Sequence, residues 1–274
     1  QAAGLLEETW ANLPFGERLI RIVSQTKLDY SQPLDIALPQ SNVTKTTPFH
    51  TGPAIFNLLR SPRLLDAVEQ FIGPEIYSNP VQHVRIKPPE RALPHGYGTN
   101  SLVTHTPWHQ DMGVIHEEAD DSNILTVWLA ITEATEENGC MAVVPRSHKD
   151  HLALHCPIDG DSVTIPESRI PAKPLPLPMK PGDVLFMTST TMHTSLRNVS
   201  DKIRWSFDLR YNPVGEKTGR PWFPGFVARS QKNPEAELHD VEQWGQLWRD
   251  ARRTIVEQGI PTFNRWDGNA IGCA

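Results

Sequence analysis

Apolar residues recur at helical spacing near both ends of the chain, and at a spacing of two between them. Ser61-Pro62 reads as a helix start, with Ser61 at the N-cap and Pro62 in the first turn. Leu64, Leu65, Val68, Phe71 and Ile72 then share one face, and Gly73 closes the element. Toward the other end, Val241, Trp244, Trp248 and Ile255 form a second helical stripe, and two tryptophans there point to packing. Between these helices Leu125, Val127, Leu129 and Ile131 alternate with Thr126, Trp128 and Ala130, the pattern of a strand. Asn138-Gly139 predicts a hairpin-type turn into a strand over Cys140–Val144, and Pro181-Gly182-Asp183 a turn into Val184–Met187. Arg204–Tyr211 alternates most cleanly. Trp205, Phe207, Leu209 and Tyr211 lie on one side, with Arg204, Ser206, Asp208 and Arg210 on the other.

A single polar strand face ordinarily meets water. Here the habit is shared, because Val81–Lys87 also sets His83, Arg85 and Lys87 on one face. A barrel with a polar interior and an apolar outside covered by helices accounts for both. The 25 prolines, about twice the usual usage of ~5%, cluster at 157–181 and 213–224 and mark long loops between short strands. No internal repeat or second domain boundary is visible. The expected organisation is one domain over 1–274, with a helical part to about 75, a β core over about 76–212 and a C-terminal loop and helix.

Composition narrows the classes. A formal net charge of −6 and a pI near 6.0 lack the basic footprint of a nucleic-acid binder. No apolar run reaches the ~18 residues of a membrane span. Cys140, Cys156 and Cys273 are odd in number and show no CxxC spacing, so neither a disulfide framework nor a cysteine zinc site is expected, and a reducing cytoplasm is the expected home. The opening Gln1 in place of Met suggests a trimmed start, with an earlier targeting segment left open.

The candidate chemistry starts with His109-Gln110-Asp111. On a strand, residues two apart point the same way with Cα atoms ~6.5 Å apart, so His109 and Asp111 converge while Gln110 points elsewhere. Alone, this short pattern is better explained by a chance hydrogen-bonded pair. A third ligand from a distant strand, His193, completes two imidazoles and a carboxylate, the facial set of non-haem Fe(II) oxygenases, which leaves three coordination positions open. Arg204, eleven residues after His193, is predicted to start the neighbouring antiparallel strand. It suits the distal carboxylate of 2-oxoglutarate, or equally a salt bridge with Asp201 or Asp208. The His105/His109 and His151/His155 pairs have helical zinc spacing. Pro107 argues against a helix through the first, and the charged stretch at Lys149-Asp150 places the second near the surface.

His109-Gln110-Asp111, Asn138-Gly139-Cys140 leading to Pro145-Arg146-Ser147-His148-Lys149, Pro181-Gly182-Asp183, and His193-x-Ser195 with Arg204 together resemble the phytanoyl-CoA dioxygenase family, in the same order from about Ser61 to Tyr211. The resemblance implies a mainly β fold with flanking α: a double-stranded β-helix (jelly roll, cupin-like) core covered by helices. It implies Fe(II) on His109, Asp111 and His193, with Arg204 and Ser195 gripping the 2-oxoglutarate carboxylate. Lys87 matches a family lysine near that co-substrate, and Gln110 and Trp128 match residues lining the site. Arg146 departs from the usual glycine. The reaction implied is a dioxygenase reaction with O2 on a small organic substrate, most simply hydroxylation, releasing succinate and CO2. Retention of the carboxylate Asp111 argues against halogenation. A cupin-like isomerase or hydrolase without 2-oxoglutarate, and an inactive ligand-binding barrel, are the rival readings. Arg85, Arg210 and the loops Pro94–Pro107 and Met112–Asn123 are candidate substrate contacts, His116 a residue over the site, and the stretch 218–225 a candidate entrance. Nothing in the sequence identifies the substrate or the oligomeric state.

Overall fold

The computed structural model describes residues 13, 14, 17, 35–93, 105–158, 162–259, 265, 266 and 273. Most of the region before residue 35, and residues 94–104 of one candidate substrate loop, lie outside the described residues.

Two short helices, α1 (Pro53–Leu59) and α2 (Pro62–Ile72), precede the strands, and α3 (Val241–Gln258) follows them. Ser61 occupies the expected N-cap of α2, but its side chain makes no capping bond; Pro62 and the left-handed Gly73 (φ 83°) frame the helix. The strands run β1 (Glu75–Ser78), β2 (His83–Lys87), β3 (Thr106–His109), β4 (Leu125–Ala130), β5 (Met141–Val143), β6 (Cys156–Pro157), β7 (Val163–Thr164), β8 (Leu175–Leu177), β9 (Val184–Thr188), β10 (His193–Ser195), β11 (Arg204–Pro213) and β12 (Phe226–Ser230).

One sheet has the order β12-β1-β11-β4-β9, with β2 paired to β11 beyond β1. The second runs β3-β10-β5-β8, and β6 and β7 form a small ribbon. All the pairings are antiparallel, as a jelly roll requires.

Strand β11 explains the layering. Phe207, Leu209 and Tyr211 enter a core with Val84, Ile86, Leu125 and Val127, capped by Phe56 and Leu59 of α1, Leu65 and Val68 of α2, and Trp244, Trp248 and Ile255 of α3. Tyr211 donates its hydroxyl to Leu59 O at 2.9 Å, which ties the strand to α1. The opposite face, Arg204, Ser206, Asp208 and Arg210, turns inward. The polar interior read from the alternation is therefore the inside of the roll.

Two expectations of local pairing are corrected. Asn138-Gly139 is a tight turn, with Gly139 at φ 92°, but β4 and β5 lie in different sheets, so it is a crossover and not a hairpin. A side chain at Gly139 would meet Leu196 O at 2.6 Å, so the turn needs glycine for close approach as well as for its φ. Strands β10 and β11 likewise belong to different sheets, and Arg204 and His193 face each other across the roll instead of being ladder neighbours.

The expectation of no disulfide is also overturned. Cys156 and Cys273 are bonded across 117 residues of sequence, leaving buried Cys140 as the free thiol among the described residues. Spacing could not reveal a bond made by a chain end returning to a distant ribbon, and the argument for a reducing cytoplasm loses its premise. No helix among the described residues is long and apolar enough to cross a membrane.

Candidate metal centre

Strand β3 ends at His109, and Asp111 opens a 3-10 turn over Asp111–Val114, so the two do not share one strand as the spacing suggested. The turn still brings them together. His193 starts β10 directly opposite His109, its partner in the β3–β10 ladder. The imidazole centroids are 4.1 Å apart, and His109 Nε2 lies 3.8 Å from Asp111 Oδ1. One ligand atom from each of His109, Asp111 and His193 falls within 4.8 Å of the others, and all three residues are at least half buried.

Each histidine is tuned by its own backbone. His109 Nδ1 lies 2.8 Å from Pro107 O, and His193 Nδ1 lies 2.9 Å from Thr191 O, in both cases two residues back. A carbonyl accepts only from Nδ1–H, so the Nε2 lone pairs are left to face the shared space. Burial, with His193 close by, pushes the His109 pKa down to about 3, so the ring is neutral at physiological pH. Burial works the other way on Asp111, but Arg210, then His193 and His109, outweigh it and hold the carboxyl well below the usual range. Two imidazoles that each turn Nε2 to the shared space, and an ionised carboxylate, fit a divalent metal of the Fe(II) type.

His109 and His193 line a small cavity inside the roll, with Arg85, Trp128, Met141, Met187, Ser195, Arg204 and Asp208 among its other lining residues. Arg204 is 1% exposed; its Nε donates to Gly139 O at 3.1 Å, its Nη1 to Ser206 Oγ at 2.5 Å, and its guanidinium stacks 5.6 Å from the Trp128 ring centroid. It pairs with neither Asp201 nor Asp208; Asp208 is taken by Arg85, 3.1 Å away. Ser195 Oγ donates to Thr106 Oγ1 at 2.8 Å at the cavity wall.

Lys87 is buried, not solvated, and sits opposite Arg204 in the β2–β11 ladder. Its Nζ donates to Leu196 O at 2.7 Å and Ser195 O at 3.3 Å, clamping the end of β10. Burial and then Arg204 push its pKa well below the usual lysine range. Gln110 faces away from the cavity. Its Nε2 donates to Thr190 O (2.7 Å) and His151 O (3.3 Å), and its Oε1 accepts from Ala153 N (2.7 Å), so it braces the chain behind the metal residues.

Sequence reasoning missed the support of the metal turn. His155, expected near the surface, is 0% exposed: Nδ1 donates to Ala153 O at 2.9 Å and Nε2 accepts from Gln110 N at 3.0 Å. Gly113 lets it pack, since a side chain there would strike the ring at 2.3 Å. Trp266 stacks on His155 at 5.0 Å and donates to Gly113 O at 2.6 Å, while Arg265 forks onto Asp120 and reaches Met112 O at 3.1 Å. His148 is exposed and contributes its carbonyl, which accepts from Thr190 Oγ1 at 2.9 Å. Arg146 takes a left-handed φ of 71°, the conformation glycine would favour. His116 packs edge-on against Trp222, and Arg220 Nη2 reaches Val114 O at 2.5 Å. Those segments buttress the turn; none of residues 112–123 or 218–225 lines the cavity.

The family profile described as phytanoyl-CoA dioxygenase (PhyH) matches residues 23–206. A probable phytanoyl-CoA dioxygenase of Caenorhabditis elegans is 27% identical over 185 residues, which is 62% of this chain and 54% of that protein. The peroxisomal phytanoyl-CoA dioxygenase of Bos taurus is 26% identical over 235 residues, 83% of this chain and 63% of its own length. The chain thus covers less than two thirds of either relative. Among solved structures, the non-heme monooxygenase ThoJ in its apo form superposes with a TM-score of 0.59 at 17% identity, covering 89% of this chain and 88% of that one; the likeness is one of fold.

Proposed function

The chain belongs to the phytanoyl-CoA dioxygenase family, and from that premise we propose that it is an Fe(II)- and 2-oxoglutarate-dependent dioxygenase that hydroxylates a small organic substrate. The observation that carries this reading is the convergence of His109, Asp111 and His193 on one point, beside a cavity that the two histidines line together with the buried Arg204. When bound, iron with 2-oxoglutarate and O2 supplies the oxidation, with succinate, CO2 and a hydroxylated product as the outcome. The protein's part is placement. His109 Nε2, His193 Nε2 and one Asp111 oxygen would hold the metal. Arg204, locked by Gly139 O and Ser206, takes the far carboxylate of 2-oxoglutarate with Ser195 beside it, and Lys87 fixes the strand that carries Ser195 and His193. Met141, Met187 and Trp128 exclude water around the reacting centre. Arg85 and Asp208, a pair on the β2–β11 wall, form the polar side against which the substrate lies.

The test is anaerobic addition of Fe(II) and then 2-oxoglutarate to purified protein, watching for the weak visible charge-transfer absorption of the chelate. The band is expected with wild type, and loss of it with His193→Ala. Arg204→Ala should still bind metal but need at least tenfold more 2-oxoglutarate, because a two-pronged charged contact is lost. A wild-type protein that binds metal with no band, or an Arg204→Ala variant with unchanged 2-oxoglutarate affinity, contradicts the reading.

A further inference from the structure

The carboxylate of Asp111 is held by both of its oxygens. Arg210 Nη2 donates to Oδ1 at 2.5 Å, and the Thr126 hydroxyl donates to Oδ2. All three residues are at most 4% exposed. Arg210 and Thr126 are direct partners in the β4–β11 ladder, so the strand register aims both side chains at the same carboxylate. The clamp has its own foundation. Arg210 Nη1 donates to Val81 O at 3.1 Å, and its backbone N–H donates to Gln82 Oε1 at 3.0 Å. Gln82 Nε2 in turn donates to Arg210 O (3.0 Å), Asn79 O (2.6 Å) and Ser78 Oγ (3.1 Å). The link between β1 and β2 is thus wrapped around Arg210, which was expected to contact substrate.

We propose that Arg210 and Thr126 are positioning residues that fix the rotation of the Asp111 carboxylate and limit it to one bond with the metal. The inference rests on the metal-centre reading above. Each carboxylate oxygen has two acceptor positions, so one donor on each still leaves a lone pair for a metal. A carboxylate gripped on both sides cannot rotate to chelate with both oxygens. It would therefore offer a bound metal one oxygen, which with one nitrogen from each histidine would leave room for a keto acid and O2. A chelating carboxylate would take up part of that room. Arg210 also carries a positive charge that opposes a dication nearby. If its role were only to neutralise Asp111 until a metal arrives, removing it would tighten metal binding. If it positions the ligand, removing it weakens binding. The sign separates the two.

The experiment titrates wild type, Arg210→Met, Thr126→Val and Thr126→Ser with Co(II) alone, following the visible d–d bands, whose intensity falls as coordination number rises. Circular dichroism reports folding of each variant. Loss of a group that orients a metal ligand is expected to weaken affinity about 10–100-fold for Arg210→Met and about tenfold for Thr126→Val. Thr126→Ser should restore affinity, and weaker bands in the variants should report a carboxylate free to chelate. Unchanged or tighter Co(II) binding in Arg210→Met overturns the proposal. If that variant does not fold, the Thr126 pair decides: loss in Val with rescue in Ser supports positioning, and Val equal to wild type overturns it. Wild type that binds no Co(II) sinks the metal-centre reading itself, whereas wild-type binding with indifferent variants sinks the clamp alone.

Discussion

The two histidines proposed as ligands receive their tautomer from carbonyls only two residues away, whereas Asp111 and Gln110 depend on residues from other parts of the chain. That difference explains what was legible residue by residue. The His-x-Asp spacing, His193 and Arg204 stand out because their order matches a family pattern. Thr126 was visible as sharing a face with Trp128, but nothing marked it as a donor to Asp111. His155 looked like a surface residue because its neighbours in sequence are charged, and only the fold buries it. This residue carries a pH prediction. Burial lowers its pKa to about 4 from the ordinary 6.5, so between those values the unfolded chain holds more protons than the folded one. The stability it confers is complete above about pH 6.5 and drains as pH falls toward 4. From pH 7.5 to 5 the loss is about 2 kcal/mol. Urea unfolding of His155→Gln at both pH values should show that component gone; the same slope as wild type would mean the ring is not held neutral.

Elements were easier to find than their partners. The alternation in β11 and the tryptophan stripe of α3 were plain, because each has a face that must be buried. The pairing was not, since period alone does not say which sheet a strand joins; β10 and β11 were placed side by side and are not. Helix α3 gives the element-scale test. Trp248 is 1% exposed and packs against Phe223 at 5.5 Å and Phe49 at 6.2 Å, on the outer layer of the roll. Trp248→Ala should cost about 3–5 kcal/mol in urea unfolding, with Co(II) affinity of the folded fraction unchanged. A cost below 1 kcal/mol would show that α3 is not part of the core.

For the whole molecule, the architecture was legible through shared polar faces and motif order, but the covalent tie between Cys156 and Cys273 was not. That bond anchors the chain end beyond Arg265 and Trp266, which brace Met112, Gly113 and His155 behind the metal turn. A loop of 117 residues closed by a disulfide is stabilised by about 2–5 kcal/mol. Cys273→Ser should lower stability by that order and weaken Co(II) binding in step with Trp266→Ala; unchanged stability and unchanged affinity would mean the tail is incidental.

The most direct measurement of the central claim is a crystal structure grown without oxygen in Fe(II) and 2-oxoglutarate, with anomalous data at the iron edge. The account predicts one iron peak within bonding distance of His109 Nε2, Asp111 and His193 Nε2, and co-substrate density running from that peak to Arg204. An iron peak elsewhere, or a dicarboxylate bound away from Arg204, would contradict it.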